Sequence, residues 1–447
     1  MKINRQLIEK YNKPIPRYTS YPPANFFSEQ FTSDDYLQAI KASNNHDPSN
    51  ISIYIHIPFC KKMCFYCGCN SCPMAKEKEV DDYIKALKEE IKLVLPHIHN
   101  SRKISQIHLG GGTPNSISVG YLQEINELLM HSFSLTDKPE IAIECHPGYL
   151  DEAYINGLRK AGFNRFSLGI QDFSRKVLKA VNREPSILPM AELTSLLREV
   201  NHAGINFDFI YGLPYQSKES FVQTIHEAIL LEPDRLVTFS YAHVPWVNKA
   251  QLVLERKGLP TAEQKIDMTE AAFNVLESNG YRSIGMDHYV RETDDLFVAQ
   301  EQNKLHRNFQ GYCTRETTGQ VYAFGVSGIS QLHGYYFQNT KSIKAYTESI
   351  KSKKLPVIKG YQLTDRELLI KNTITRFMCN KQLHLSSITD SIPVDNKILQ
   401  TFVDEGILTI ENNILRITEN GLPFIRNVAA VFDPLLRNSA KTFSKAV

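Results

Sequence analysis

Short strand-like runs alternate with helical patterns through the first half of this 447-residue chain, and that alternation limits the possible folds more than any other feature. Residues 51–57, 104–109, 140–144, 165–169, 206–211 and 235–241 read as strands. Between the first two, Val80, Tyr83, Ile84, Leu87, Ile91, Val94 and Leu95 recur at helical spacing, and Tyr154, Ile155 and Leu158 support a helix before the fourth. Successive βα units of this size imply parallel strands with right-handed crossovers, in an open doubly wound sheet or a complete or partial barrel. Periodicity alone does not choose between them. The placement of unusual residues favours a barrel-like core. A cysteine loop, Gly110-Gly-Gly-Thr-Pro114, Glu144, Gln171, Asp208 with Gly212-Leu-Pro214, and Ala242-His243 all fall at or near the carboxyl end of a strand. Barrel enzymes build their active sites on that rim.

The cysteine loop carries the strongest chemical signal. Cys60, Cys64 and Cys67 stand in the run Ile57-Pro-Phe-Cys-Lys-Lys-Met-Cys-Phe-Tyr-Cys-Gly-Cys-Asn70. A four-iron cluster normally takes four cysteines, so a C-x3-C-x2-C loop leaves one iron open to a small molecule. Structural zinc is the weaker reading. It needs a closed shell of four ligands, and the only further C-x2-C pair, Cys69 with Cys72, crowds against the first. Eight cysteines in a chain of this length, with no apolar stretch behind Met1-Lys-Ile-Asn-Arg-Gln-Leu7, fit a reducing, cytoplasmic setting better than a secreted disulfide framework.

Composition excludes other classes. The 51 basic residues against 48 acidic ones give a net charge of +3, too balanced for a general nucleic-acid binder, and no apolar run approaches membrane-spanning length. Near the carboxyl end, 396–402 reads as a helix and 407–418 as a hairpin turning at Glu411-Asn-Asn413, which together suggest a winged-helix-like module. Asp395, Asp404, Glu405, Glu411 and Glu419 dilute Lys397 and Arg416, so a lid or packing role is preferred to DNA binding.

With these features assembled, the chain resembles the radical S-adenosylmethionine enzymes. The resemblance narrows with Tyr54-Ile-His-Ile-Pro-Phe-Cys60, the extra Cys69, Arg17-Tyr-Thr-Ser-Tyr-Pro22, Gly285-Met-Asp-His288 and Leu305-His-Arg-Asn-Phe-Gln-Gly311. Together these are similar to the oxygen-independent coproporphyrinogen III oxidase family, nearly end to end. The resemblance implies an α/β fold with a partial (βα)6 barrel core at 49–280. It adds an amino-terminal substrate- and cofactor-contacting segment at 1–48, a core extension at 281–360 and a smaller, mainly helical, lid-like domain at 361–447. It also implies an oxidoreductase of haem biosynthesis that turns two propionates of coproporphyrinogen III into vinyl groups through a 5'-deoxyadenosyl radical. Its cofactors would be a [4Fe-4S] cluster and two molecules of S-adenosylmethionine. A reducing donor such as flavodoxin or ferredoxin and a monomeric state are further implications. Two other readings use the same scaffold: a haem-binding chaperone, and a radical enzyme acting on another tetrapyrrole.

Carried over residue by residue, the resemblance makes Cys60, Cys64 and Cys67 the cluster ligands, while Cys69 matches a cysteine thought not to bind iron. Tyr54, Tyr66, Gly111, Gly112, Thr113 and Glu144 match cofactor positions, with Glu144 suited to the methionyl ammonium. Gln171, Arg183, Asp208, Ala242 and Ile329 match positions for a second S-adenosylmethionine. Arg17 is a candidate partner for a substrate carboxylate, with a purely anchoring role as the alternative. Cys145-His146-Pro147 departs from the family pattern: His146 either caps the loop after the strand or, with Cys145, holds a second metal.

Overall fold

The computed structural model describes residues 1–388, 392, 394–437, 439, 441 and 443–445. The chain packs into two compact units, each gathered from separate stretches of sequence. One comprises Phe27–Asp208 and Arg315–Gln362; the other comprises Met1–Phe26, Phe209–Thr314 and Leu363–Val447.

The first unit is built on parallel strands. Ile51–Ile57, Ile104–Gly111, Leu135–Cys145 and Arg165–Gln171 lie side by side, with Tyr54 opposite His108, Ile107 opposite Ile141 and Ala142 opposite Arg165. Six of the seven residues of Ile51–Ile57 are buried and Tyr54 is half-buried, because a parallel sheet is covered on both faces and its strands read as continuous apolar runs. The third strand begins five residues before its expected start. Leu135 pairs with Ile104, then a register shift precedes Glu140, and the polar residues between them give no alternating pattern. On the other side of Ile51–Ile57 lies Val321–Phe324, parallel to it, followed by the antiparallel strands Ile329–Leu332, Tyr335–Asn339 and Val357–Gln362.

Helix Glu77–Val94 buries Val80, Tyr83, Ile84, Leu87, Ile91 and Val94, the stripe expected from spacing, and adds one surprise. Glu90 is fully buried on that face, accepting from the Gly325 amide at 2.8 Å and the Asn339 amide at 2.6 Å. Burial pushes its carboxyl up to about 7, against the pull of these donors and of Tyr346. It ties the helix to the strands at 321–339.

Strand Gly204–Tyr211 carries the chain into the second unit, where Arg235–Ser240 and Tyr281–Gly285 flank the antiparallel strand His288–Arg291. This unit's core joins the amino-terminal Ile3, Ile8, Ile15, Tyr18 and Tyr21 to Phe377, Leu399, Phe402, Leu415 and Phe432. The carboxyl-terminal module has the expected helix, Asn396–Asp404, and hairpin, Leu408–Glu411 with Ile414–Ile417. Asn412 and Asn413 take φ of 50° and 64°, the left-handed pair that a two-residue hairpin turn demands and asparagine tolerates. A third strand, Gln382–His384, completes a small antiparallel sheet.

Candidate active site

In the first unit, the loop after Ile57 is held at its base by backbone bonds. Phe59–Cys60 pairs with Cys72–Pro73, while the Gly112 amide donates to Ile57 at 2.8 Å and the Thr113 amide to Phe59 at 3.0 Å. The three sulfurs face one cavity of 170 Å³, shared with Gly111, Gly112, Thr113, Glu144, Arg183 and Asp208. Each sulfur meets a polar group: the Thr113 hydroxyl donates to Cys60 at 3.3 Å, the Arg183 guanidinium to Cys64 at 3.5 Å, and the Ser71 hydroxyl lies 3.9 Å from Cys67. Burial pushes the Cys60 thiol up, whereas hydrogen bonds from Cys69 bring Cys67 down to about 6 against its own burial. Three thiols with donors aimed at their sulfurs, and a carboxylate across the same cavity, suit a cubane held by three cysteines with one iron left open. Among the described residues no group of three or more His, Cys, Asp or Glu side chains is arranged to hold a single metal ion.

Glu144, at the end of the third strand, accepts from the His108 ring at 3.1 Å and the Gly111 amide at 3.2 Å. Desolvation pushes its carboxyl up, but His108, Gly111 and His56 outweigh it and hold the group below the usual carboxylate range. Glycine is required beside it. A Cβ on Gly110 would lie 2.6 Å from Glu144 Oε1, and Gly111 has φ of 117° with the His56 ring 2.7 Å from where its Cβ would stand. His56 in turn meets the Asn70 carbonyl at 2.8 Å and the Tyr54 hydroxyl at 3.2 Å. Tyr54 stacks on His108 with ring centroids 5.9 Å apart and so supports the carboxylate through that ring.

Farther along the same cavity, Asp208 accepts from Ser167 at 2.7 Å and from Asn206 at 2.9 Å. Gln171 holds φ of 70°, a conformation that non-glycine residues adopt at a cost and that aims the strand's last side chain differently from its neighbours. Arg183 also donates to the Gly169 carbonyl, and its buried Nε has no partner among the described residues. Tyr66 lines the cavity with them. Thus Tyr66, Gly111, Gly112, Thr113, Glu144, Gln171, Arg183 and Asp208 converge with the cysteines, whereas Tyr54 stands behind this wall and Ile329 heads its own strand elsewhere in the unit. His146 caps the turn after the third strand: its Nδ1 accepts from the Gly148 amide at 3.0 Å and its ring stacks on Tyr149.

The second unit has its own cavity, of 460 Å³, lined in part by Arg17, Ala242, His243, Lys265, Asp287 and Arg426. Arg17 is already engaged by Asp287, which also accepts from His288 at 2.7 Å. Lys265 donates to the Tyr241 carbonyl at 3.1 Å, and burial, then Lys445, lower its ammonium to about 8. Sequence reading missed His56, His108, Ser167, Asn206, Lys265 and Asp287. Strand parity offered a signal for some: Tyr54 and His56, like His108 and Gly110, stand two residues apart and so share a face.

A parallel α/β core with a three-cysteine loop after its first strand and a glycine run after its second defines a radical S-adenosylmethionine enzyme, and residues 54–228 match that superfamily. The oxygen-independent coproporphyrinogen III oxidase of Synechocystis is 36% identical over 461 aligned residues, covering 100% of this chain and 98% of its own. That of Escherichia coli is 37% identical, covering 99% and 98%. The solved structure of the Escherichia coli coproporphyrinogen III oxidase, described as a radical SAM enzyme, superposes with a TM-score of 0.88 at 34% identity, over 97% of this chain and 99% of that one. The chain belongs to the oxygen-independent coproporphyrinogen III oxidase family. Its cofactors are accordingly a [4Fe-4S] cluster and S-adenosylmethionine. Among the described residues no helix is long and apolar enough to cross a membrane.

Proposed function

We propose that the chain converts two propionate side chains of coproporphyrinogen III to vinyl groups without oxygen, yielding protoporphyrinogen IX, with the cysteine cavity as the reaction centre. One observation carries the assignment of roles: three donor-facing sulfurs and an ionised, glycine-flanked carboxylate share a single cavity. When bound there, the cluster and S-adenosylmethionine would supply the one-electron radical chemistry that takes a hydrogen from the propionate.

The protein's part is orientation and charge. Cys60, Cys64 and Cys67 would hold the cluster, and Thr113 and Arg183, which donate to the sulfurs of Cys60 and Cys64, would stabilise negative charge there. Glu144, which His108 and the Gly111 amide favour in its ionised form, would accept from the methionyl ammonium, and the missing side chains at Gly110, Gly111 and Gly112 would admit the ligand to the backbone. Tyr66 offers an aromatic face. Gln171, Arg183 and Asp208 present an amide, a cation and an anion to a second S-adenosylmethionine. The chain acts as a monomer in a reducing cytoplasmic setting with a low-potential donor such as flavodoxin or ferredoxin, and its eight free cysteines are compatible with reducing surroundings.

Anaerobic incubation of reconstituted protein with coproporphyrinogen III, S-adenosylmethionine and dithionite tests the reading. Mass spectrometry should find loss of two carboxyl groups with matching 5'-deoxyadenosine. Intact tetracarboxylate beside a fully assembled cluster would reject it.

A further inference from the structure

The cysteine loop is fixed to a short helix. Helix Arg175–Ala180 follows the strand that ends at Gln171, and the residues just beyond it are bonded to the loop. The Phe65 amide donates to the Val181 carbonyl at 3.0 Å, the Asn182 amide side chain donates to the Met63 carbonyl at 2.7 Å, and Arg183 donates to the Cys64 sulfur at 3.5 Å. A hydrogen-bonded route therefore leads from this helix to one of the cluster ligands. The helix buries Val177 and Leu178 and exposes Arg175, Lys176 and Lys179. Six residues span only about 9 Å, so these exposed cations lie within about two helical turns of the residues bonded to the loop.

The loop adds exposed cations of its own. Lys61 lies over the Tyr149 ring at 4.7 Å, and Lys62 is paired with Glu184. The buried His146 ring, which lines the cysteine cavity, lies near enough to Arg183, Lys61 and Lys62 for all three to oppose its protonation. With Lys62 offset by Glu184 and Arg183 buried, Lys61, Arg175, Lys176 and Lys179 remain as exposed cations on the loop and on the helix bonded to it, in a chain whose overall charge is only +3. Concentrated charge of one sign at a surface raises encounter rates with partners of the opposite sign and selects against others.

We propose that the exposed basic face formed by the cysteine loop and helix Arg175–Ala180 is the docking surface for a small acidic one-electron carrier protein. The proposal rests on the cluster assignment above. At this step one electron leaves the carrier, which is oxidised by one electron, and enters the cluster, which is reduced by one. No atom is exchanged. The bonded path through Val181, Asn182 and Arg183 is the connection between the docked carrier and the sulfur of Cys64.

The test uses reconstituted protein and reduced flavodoxin as the acidic probe, comparing the natural chain with the triple variant Lys61→Glu, Arg175→Glu, Lys179→Glu. Calorimetry at low ionic strength should show flavodoxin Kd raised by roughly tenfold to a hundredfold in the variant. Stopped-flow reduction of the cluster at sub-saturating flavodoxin should slow in proportion. Binding to the natural chain should weaken as salt is added, since surface charges separated by more than about 10 Å are screened at 0.1 M ionic strength. Iron content and dithionite-driven turnover should match in the two proteins, and Lys61→Ala, Arg175→Ala, Lys179→Ala should fall between them in affinity. Equal flavodoxin affinity in the natural and reversed chains, or salt-independent binding, would overturn the docking face. Loss of dithionite-driven turnover in the natural chain would instead count against the reaction, and the binding comparison would still decide the docking face.

Discussion

Gly110→Ala isolates the carboxylate of the candidate cofactor site from the cysteine loop beside it. A Cβ at this position would stand 2.6 Å from Glu144 Oε1 and 2.9 Å from its Cδ, well inside the 3.4 Å at which ordinary contacts begin. The backbone here is held in a parallel ladder with His56 opposite Gly110, so the Glu144 side chain must move instead. Swinging away takes its oxygens from the His108 ring at 3.1 Å and the Gly111 amide at 3.2 Å. Hydrogen bonds to a charged group are worth about 1.5–3 kcal/mol each, and water entering the cavity replaces part of that, leaving a net loss of about 1–3 kcal/mol. S-adenosylmethionine should therefore bind about five- to 150-fold more weakly. The three cysteines are untouched by the change, so iron and sulfide content should stay at the natural level. Equilibrium binding of S-adenosylmethionine to anaerobically reconstituted protein, with iron assayed on the same sample, makes the comparison. Natural affinity with the substitution in place, or a parallel loss of iron, would refute the assignment of Glu144 to the cofactor.

Gly112→Ala should fail differently, because its Cβ would meet the Pro58 backbone oxygen at 2.6 Å and the Cys60 sulfur at 3.1 Å. Backbone at the base of the loop cannot yield cheaply, so reconstituted iron should fall severalfold, measured by the cluster's visible absorbance. Asp287→Asn leaves Arg17, His288 and Arg307 without the carboxylate that burial pushes up and these three groups, Arg17 first, pull well below the usual range. With Arg17 partly exposed, the loss should be about 2–3 kcal/mol at pH 7 in denaturant unfolding. A depressed carboxyl contributes above its unfolded value near 3.9 and loses that contribution on acidification, so the deficit should shrink below about pH 4. His146, which burial, Arg183, Lys61 and Lys62 bring down to about 2, is neutral when folded and takes a proton near pH 6.5 when unfolded. Stability should fall with acid from that point, and His146→Asn, which keeps an acceptor for the Gly148 amide, should remove about 2 kcal/mol of the loss between about pH 6.5 and 5 in urea titrations.

Membership in a class of chemistry was legible from local order alone. Ligand spacing within one loop is a covalent property, so Cys60, Cys64 and Cys67 mark a candidate three-sulfur site without reference to the fold. Strand and helix periodicity likewise reflects burial of one face at a time, and it located Ile51–Ile57 and the apolar stripe of Glu77–Val94. The Asn412-Asn413 turn was legible because its constraint is confined to two adjacent residues.

Tertiary structure decided which distant groups face one another. His108 became a partner of Glu144 only through the parallel register of two strands, 36 positions apart in sequence. Arg17, read as a candidate for a substrate carboxylate, meets Asp287 from 270 positions away in sequence, and no local pattern encodes that closure. Glu90 looked like one more polar position on an amphipathic helix, yet it is buried by partners more than 230 residues away. The division into two compact units follows packing rather than chain order: the first 26 residues join the last 85 because apolar side chains at both ends cover the same core. Spacing along the backbone fixes what chemistry a loop can perform, whereas the charge states and neighbours that tune it come from contacts whose free energy exists only once the chain has closed on itself.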